Sequence, residues 1–170
     1  MKILRLTLAM LVVASFIAAA PAQVVIRGGR RVPAVPPNPQ SLMALQQDLI
    51  NAIESMKTAL PIYDGNRVRS IHAAHAALVI VDREINGPKA ATRTLPTVKD
   101  GGKRSDYTSG QITGSQTNMR NGYAGLQQAL KDLVGAMGSN PNQKGLRVKA
   151  HIQTASAEAT NAIQLHAAQG

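Results

Sequence analysis

Apolar residues recur at three- and four-residue intervals in four stretches of the chain, which is the spacing of amphipathic helices. These stretches cover about residues 41–60, 66–85, 117–137 and 141–167. The first carries Leu42, Leu45, Leu49, Ile53, Met56 and Leu60. Asn38-Pro39 precedes it with a cap residue and a proline suited to the first helical position. For the second helix, Asp64 or Asn66 is the expected cap. The pattern predicts an all-α protein.

Two helical hairpins, over 41–86 and 117–168, should pack into one four-helix bundle, because neither hairpin can bury its own apolar stripe. Between them, residues 87–116 have no apolar period and are rich in Gly, Ser, Thr and Lys. We expect a long mobile loop there, long enough to cross over between the hairpins. Residues 23–40 hold four prolines and several arginines, which predicts an extended, disordered arm.

The two hairpins resemble each other in sequence. Residues 42–60 align with 123–141, which places Leu-Gln-Gln at 45–47 on the same three residues at 126–128. With one residue lost in the turn, residues 65–69 align with 145–149, so that Arg67 falls on Arg147. This similarity predicts an internal duplication in which the inner positions of the first helix match those of the third. The alternative is that any two amphipathic hairpins look alike.

Residues 1–22 have the features of a secretory signal peptide. Lys2 and Arg5 precede an apolar run, and Ala20-Pro21-Ala22 supplies small residues for cleavage before Gln23. An uncleaved anchor is the alternative, but the apolar run is short for a bilayer span. No later segment is apolar enough to cross a membrane. We therefore expect a periplasmic or secreted protein.

The charge of the chain favours acidic partners. The full sequence has 19 basic and 9 acidic residues, and signal cleavage leaves 17 basic residues and a net charge of +8. Such a surplus suits an anionic component of the cell envelope, or simple solubility. The chain has no Trp, and its one Phe lies in the signal, so a stacking platform specific for nucleic acid is not expected. Self-association is the other expected interaction.

One candidate site is a histidine cluster. His72 and His75 lie three residues apart on the second helix, and His151 lies near the start of the fourth. Glu54 should reach the height of His75 across the first turn. A histidine pair with a carboxylate is ordinary ligation for Zn or Cu, so this set predicts a metal site. Partly exposed histidines beside an apolar stripe are the alternative, and the second hairpin does not repeat the pair.

A second candidate is a basic end of the bundle. It consists of Arg67, Arg69, Lys144, Arg147 and Lys149, near the starts of the second and fourth helices. In an up-down-up-down bundle those starts share one end, where free N–H groups attract anions. The alternative, which a placement kept in both hairpins favours, is that the arginines bind the carboxyl ends of the first and third helices.

The sequence carries no recognisable catalytic motif. It has no cysteine, no Gly-x-Ser-x-Gly, no phosphate-binding loop and no His-Glu-x-x-His, and its carboxylates are scattered. Two functions remain. The first is an exported, non-enzymatic bundle that acts through its surface as an interaction or structural protein of the envelope. The alternative is a periplasmic metal-binding bundle that uses His72, His75, His151 and Glu54.

Overall fold

The computed structural model of the chain describes residues 38–89, 92–138 and 142–167, except the side chain of His166. Within these residues it has four α-helices, α1 (Pro39–Thr58), α2 (Asn66–Asn86), α3 (Ser109–Met137) and α4 (Gln143–Ala167), one 3₁₀ turn (Arg104–Asp106), and no strand. The predicted all-α four-helix bundle is confirmed for this part of the chain. The predicted signal peptide and nearly all of the predicted arm lie outside it. No described helix is long and apolar enough to cross a membrane.

The helices run up, down, down and up. α1 packs most extensively against α3, and α2 against α4. Both pairs are antiparallel. The Asn38 N–H, before α1, donates to the carbonyl of Ala136 near the end of α3 at 3.1 Å. Ser70, early in α2, donates to the carbonyl of Ala155 at the middle of α4, at 2.7 Å, and Glu84, near the end of α2, pairs with Lys144 at the start of α4. Since α2 and α3 point the same way, α2 and α4 begin at opposite ends of the bundle.

A crossover segment, of which residues 87–89 and 92–108 are described, therefore connects the end of α2 at one end of the bundle to the start of α3 at the other. Its backbone and side chains bond to the helices at both ends. Near the end of α2, Arg93 Nε lies 2.5 Å from the Asp82 carboxylate. Near the α1–α2 turn, the Gly102 N–H donates to the Pro61 carbonyl at 2.5 Å. The length of this segment in the sequence suggested a long crossover between the hairpins, and the fold has such a crossover.

α3 begins eight residues earlier than the apolar pattern predicted, at Ser109 rather than near Thr117. Thr108 and Gln111 form a reciprocal capping box, in which the Gln111 N–H donates to Thr108 Oγ1 and the Thr108 N–H donates to Gln111 Oε1. Residues 109–116 hold only one large apolar residue, Ile112, so a reading based on apolar spacing missed these two turns. The capping box was the local signal that could have found them.

The starts of α1 and α2 differ in chemistry. Asn38 caps α1 as predicted, because its Oδ1 accepts from the Gln40 N–H at 3.0 Å. The predicted side-chain cap of α2 is wrong. Gly65 occupies the N-cap position with a left-handed φ of 79°, and it follows Asp64, whose φ is 48°. The Gly65 N–H donates instead to the Asp100 carboxylate of the crossover segment.

The core consists of Leu, Ile, Met and much Ala from all four helices. On α3 the inner face differs from the one that the duplication alignment requires. Val134, aligned with the buried Ile53, is 58% exposed, and the buried residue at this level is Leu133. The expectation that inner positions of α1 match inner positions of α3 is therefore wrong at Val134, since a shift of one residue turns a helical side chain by about 100°.

Two glycines let α1 and α3 approach each other closely. A Cβ added at Gly122 would lie 2.4 Å from Met56 Cγ and 3.1 Å from the Ala52 carbonyl oxygen. A Cβ at Gly125 would lie 3.1 Å from Ala52 Cβ. Since Met56 is fully buried, it has little room to give way. The spacing between these two helices therefore depends on Gly122.

We predict that Gly122→Ala lowers the free energy of unfolding by about 1–3 kcal/mol, because overpacking outweighs the gain in helix propensity. Gly114→Ala, in the same helix with nothing within 4 Å of its added Cβ, is the matched control. It should raise stability by roughly 0.5–1 kcal/mol. Urea unfolding followed by circular dichroism measures both. Equal stabilisation by the two alanines would contradict the close approach.

Candidate functional site

The Arg67 guanidinium binds the carboxyl end of α1. Its Nη1 donates to the carbonyls of Met56, Lys57 and Ala59 at 3.3, 3.2 and 2.9 Å, and its Nη2 donates to the Lys99 carbonyl of the crossover segment. The residue is 3% exposed. Burial lowers the pKa of this guanidinium, and the nearby Asp100 carboxylate opposes that effect. Arg67 thus has the capping role that was the alternative to anion binding.

The predicted anion site is not assembled. Its members separate to opposite ends, because α2 and α4 begin at opposite ends. Arg69, at the start of α2, pairs with Glu158 near the end of α4 at 2.9 Å. Lys144, at the start of α4, pairs with Glu84 near the end of α2. The expectation of a single basic cluster assumed up-down-up-down topology, which the direction of α3 overturns.

A different set of cations lies toward the end where α2 and α3 finish and α4 starts. We call it the basic end, and all its members are exposed: Arg83, Lys89, Lys131, Lys144, Arg147 and Lys149. Lys144 has an ion pair with Glu84, and the other five form no salt bridge with the described residues. Unlike the buried Arg67, Arg147 is exposed and has no hydrogen bond to the described residues. Within the described part of the chain, these five cations are free to meet an anion from outside the bundle.

The structure does not bring the four predicted metal ligands together. His75 is 8% exposed and, with Glu54, lines a pocket between α1, α2 and the crossover segment. His72 is exposed and His151 is half-buried on α4, and neither lines that pocket. Over the described ranges, no three His, Cys, Asp or Glu residues lie close enough together to hold a metal ion.

The Glu54–His75 pocket contains charges that sequence reasoning missed. Arg93 lines it from the crossover segment, and Lys57 lines it from α1. Lys57 is also 2.8 Å from the Glu54 carboxylate, one turn away on the same helix. No local motif marks Arg93, because it lies in a segment without an apolar period. Its role depends on Asp82, eleven residues earlier, which holds the crossover against α2.

Two carboxyl groups meet between α1 and α3. Burial, followed by the neighbouring Asp132, raises the pKa of Asp48 from 3.8 to about 6. Asp48 Oδ2 is shielded from water and has no hydrogen-bond partner among the described residues. A proton on one carboxyl can satisfy both groups, since carboxylates only accept. Asp48 and Asp132 lie on different helices, and only the packing of α1 on α3 reveals the pair.

Comparison with protein-family models, with curated proteins and with solved structures finds no match to this chain. Its function must therefore be inferred from its own residues. The described part offers three features with chemical potential: the five free cations of the basic end, the pocket beside His75, and the Asp48–Asp132 pair.

We predict that Arg67→Met lowers the free energy of unfolding by about 3 kcal/mol, because it leaves buried carbonyl groups without donors. Arg69→Met is the control, since the Arg69 side chain is 55% exposed in its ion pair. Its cost should be roughly 0–1 kcal/mol. Chemical unfolding of the two variants gives the comparison, and similar losses would rule out the capping role of Arg67.

The Asp48–Asp132 pair predicts a pH dependence of stability. With a pKa near 6, folded Asp48 holds its proton at pH values where the unfolded chain, at 3.8, releases it. The folded state therefore loses stability as pH rises from about 4 to 6, and the loss persists above that range. Asp48→Asn should restore on the order of 1 kcal/mol at pH 7, after allowance for partial exposure.

Unfolding free energies measured from pH 4 to pH 8 test this expectation. The difference between Asp48→Asn and the wild type should grow with pH up to about 6 and then level off. Asp64→Asn, at an exposed residue of the α1–α2 turn, is the control, because it leaves the carboxyl pair intact. Parallel pH profiles for the wild type and Asp48→Asn would show that the pair does not share a proton in the folded state.

Proposed function

We propose that the protein is an exported, non-enzymatic interaction protein that binds an anionic lipid surface of the cell envelope through its basic end. The observation that carries this proposal is the group of five exposed cations without salt bridges among the described residues. Clustered Lys and Arg side chains near an anionic lipid surface are each worth about 1 kcal/mol of attraction. The periplasmic or secreted location rests on the signal-like residues 1–22 and is part of the proposal.

Apolar side chains at the same end favour lipid over a soluble polyanion. Met43 near the start of α1, Val134 near the end of α3 and Leu146 near the start of α4 are 51%, 58% and 53% exposed. Exposed apolar residues beside cations are the composition of surfaces that enter the headgroup region of a bilayer. A cell-wall polymer would use the cations alone.

The opposite end of the bundle is a poorer candidate, because it offers only Lys99 and Lys103 as exposed cations without a salt bridge to the described residues, and its other cations named here are engaged. Arg67 is buried against carbonyl groups, Arg69 pairs with Glu158, and Lys57 pairs with Glu54. Acidic residues also lie there, including Asp100, whose carboxylate accepts from Gly65.

We further infer that the two hairpins arose by duplication. In the bundle each helix packs mainly against its proposed counterpart, α1 against α3 and α2 against α4, and both pairs are antiparallel. Two copies of one hairpin related by a twofold axis would pack in this way. On this proposal, the exposed Val134 and Arg147 mark positions where the two halves have since diverged.

We predict that the protein sediments with vesicles containing phosphatidylglycerol, and that this binding weakens steeply between low and physiological salt. The double variant Arg147→Gln/Lys149→Gln should reduce the partition coefficient about tenfold, since it removes two cations near the surface. Lys99→Gln/Arg120→Gln removes the same two charges elsewhere on the described surface and is the matched control. An equal loss in both variants would leave only non-specific attraction by net charge.

The apolar part of the surface has its own test. Leu146→Ser should weaken vesicle binding several-fold, whereas Leu165→Ser, an exposed leucine at the other end of α4, should not. Binding to soluble polyphosphate measures the contribution of the cations without that of the apolar side chains. Tight, salt-sensitive binding to polyphosphate with no binding to vesicles would indicate that the partner is an anionic polymer and not a lipid surface. No binding to either at low ionic strength would end the proposal.

A further inference from the structure

A cavity of about 360 Å³ lies where the crossover segment passes over α1 and α2. Its walls come from three parts of the chain, and its lining residues are Ile50, Ile53, Glu54, Lys57, His75, Leu78, Arg93, Thr94 and Pro96. Its volume is within the range of small-molecule sites, which are typically about 300–1,000 Å³. The cavity is separate from the basic end, and the lipid proposal makes no use of it.

The lining divides into an apolar part and a polar part. Ile50 and Ile53 from α1 and Leu78 from α2 supply branched aliphatic surface, and Pro96 adds to it from the crossover segment. Charged groups accompany them, with Lys57 and Glu54 on one helix and Arg93 on the crossover. A ligand that suits this lining has a mainly hydrocarbon body and one polar head.

His75 supplies an unpartnered polar atom beside this cavity. The residue is 8% exposed, and its Nε2 is shielded from water with no hydrogen-bond partner among the described residues. A buried polar atom without a partner is costly, so each one calls for an explanation, of which a bound group is one. A ligand oxygen accepting from an Nε2–H of His75 would remove that cost.

The charges at the cavity favour an anionic head. The two carboxylates nearby are already occupied: Glu54 binds Lys57 at 2.8 Å, and Asp82 accepts from Gln46 Nε2 at 2.6 Å and from Arg93 Nε. Arg93 uses only its Nε in the described contacts, so its two terminal nitrogens remain as donors in a side chain that is 43% exposed. A planar carboxylate matches paired guanidinium donors.

We propose that this cavity binds a small hydrophobic carboxylate. Its hydrocarbon body would pack on Ile50, Ile53 and Leu78. Its carboxylate would accept from the terminal nitrogens of Arg93 and from His75. The ion pair with Asp82 positions Arg93 for this contact and holds the crossover segment over the cavity.

Three probes of one shape test the proposal on the intact chain: 2-naphthoate, its neutral amide 2-naphthamide, and 2-naphthylmethylammonium. Binding is followed by NMR through the δ-methyl signals of Ile50, Ile53 and Leu78 and the imidazole nitrogens of His75. We expect 2-naphthoate to shift these signals and to bind about tenfold more tightly than the amide, because its contacts are charge-assisted. The ammonium should bind most weakly of the three.

Two pairs of variants separate the site from the rest of the surface. Arg93→Met should weaken the binding of 2-naphthoate about tenfold and leave the binding of 2-naphthamide unchanged. Arg83→Met, an exposed arginine that does not line the cavity, is its control. His75→Leu should weaken 2-naphthoate several-fold, whereas His72→Leu, one turn earlier and exposed, should have no effect.

Asp82→Asn separates the charge of Arg93 from its attachment to α2. It weakens the contact between Arg93 and residue 82 but keeps the guanidinium. It should weaken 2-naphthoate binding less than Arg93→Met does, because the asparagine amide oxygen can still accept from Arg93 Nε. Equal losses in Asp82→Asn and Arg93→Met would overturn the assignment of Arg93 as the carboxylate donor. The proposal as a whole fails if millimolar 2-naphthoate leaves the methyl signals unmoved, or if all three probes bind equally well.

Discussion

The structure depends on the buried guanidinium of Arg67 at the α1–α2 turn. A helix ends with carbonyl groups that have no partner and carry partial negative charge, and a cation among them is stabilised by both effects. Arg67 reaches three carbonyls at the carboxyl end of α1, of which that of Met56 also accepts from the Ala59 N–H, and a fourth at Lys99 in the crossover segment. One side chain therefore joins the end of α1, the start of α2 and the segment that leads to α3.

The position of the crossover determines where each possible site lies. Since Arg67 and Gly65 hold residues 99–100 at the α1–α2 turn, α3 must start at that end and run parallel to α2. α4 then starts at the opposite end, which brings its cations to the carboxyl end of α2. The same segment passes over α1 and α2 on its way and supplies one wall of the cavity beside His75. The basic end and the cavity are thus two consequences of one connection.

The α1–α3 interface combines a favourable and an unfavourable feature. Gly122 and Gly125 allow the two backbones to approach, which gives tight packing with few large side chains. The same approach brings Asp48 near Asp132, where one carboxyl retains its proton more strongly than in water. Close packing therefore makes this interface sensitive to pH.

The sequence by itself determined the local features. Apolar spacing located four helices, and the Asn38-Pro39 cap and the breaks near Pro61 and Gly138 placed most of their ends, because these signals act within one or two turns of the chain. It also placed Glu54 and His75 at one height, since a short turn between antiparallel helices sets their register. It did not determine the direction of α3, the separation of Arg67 from Arg147, or the partners of Arg93 and Asp48. Those depend on contacts between residues far apart in the chain, and only the tertiary structure decides them.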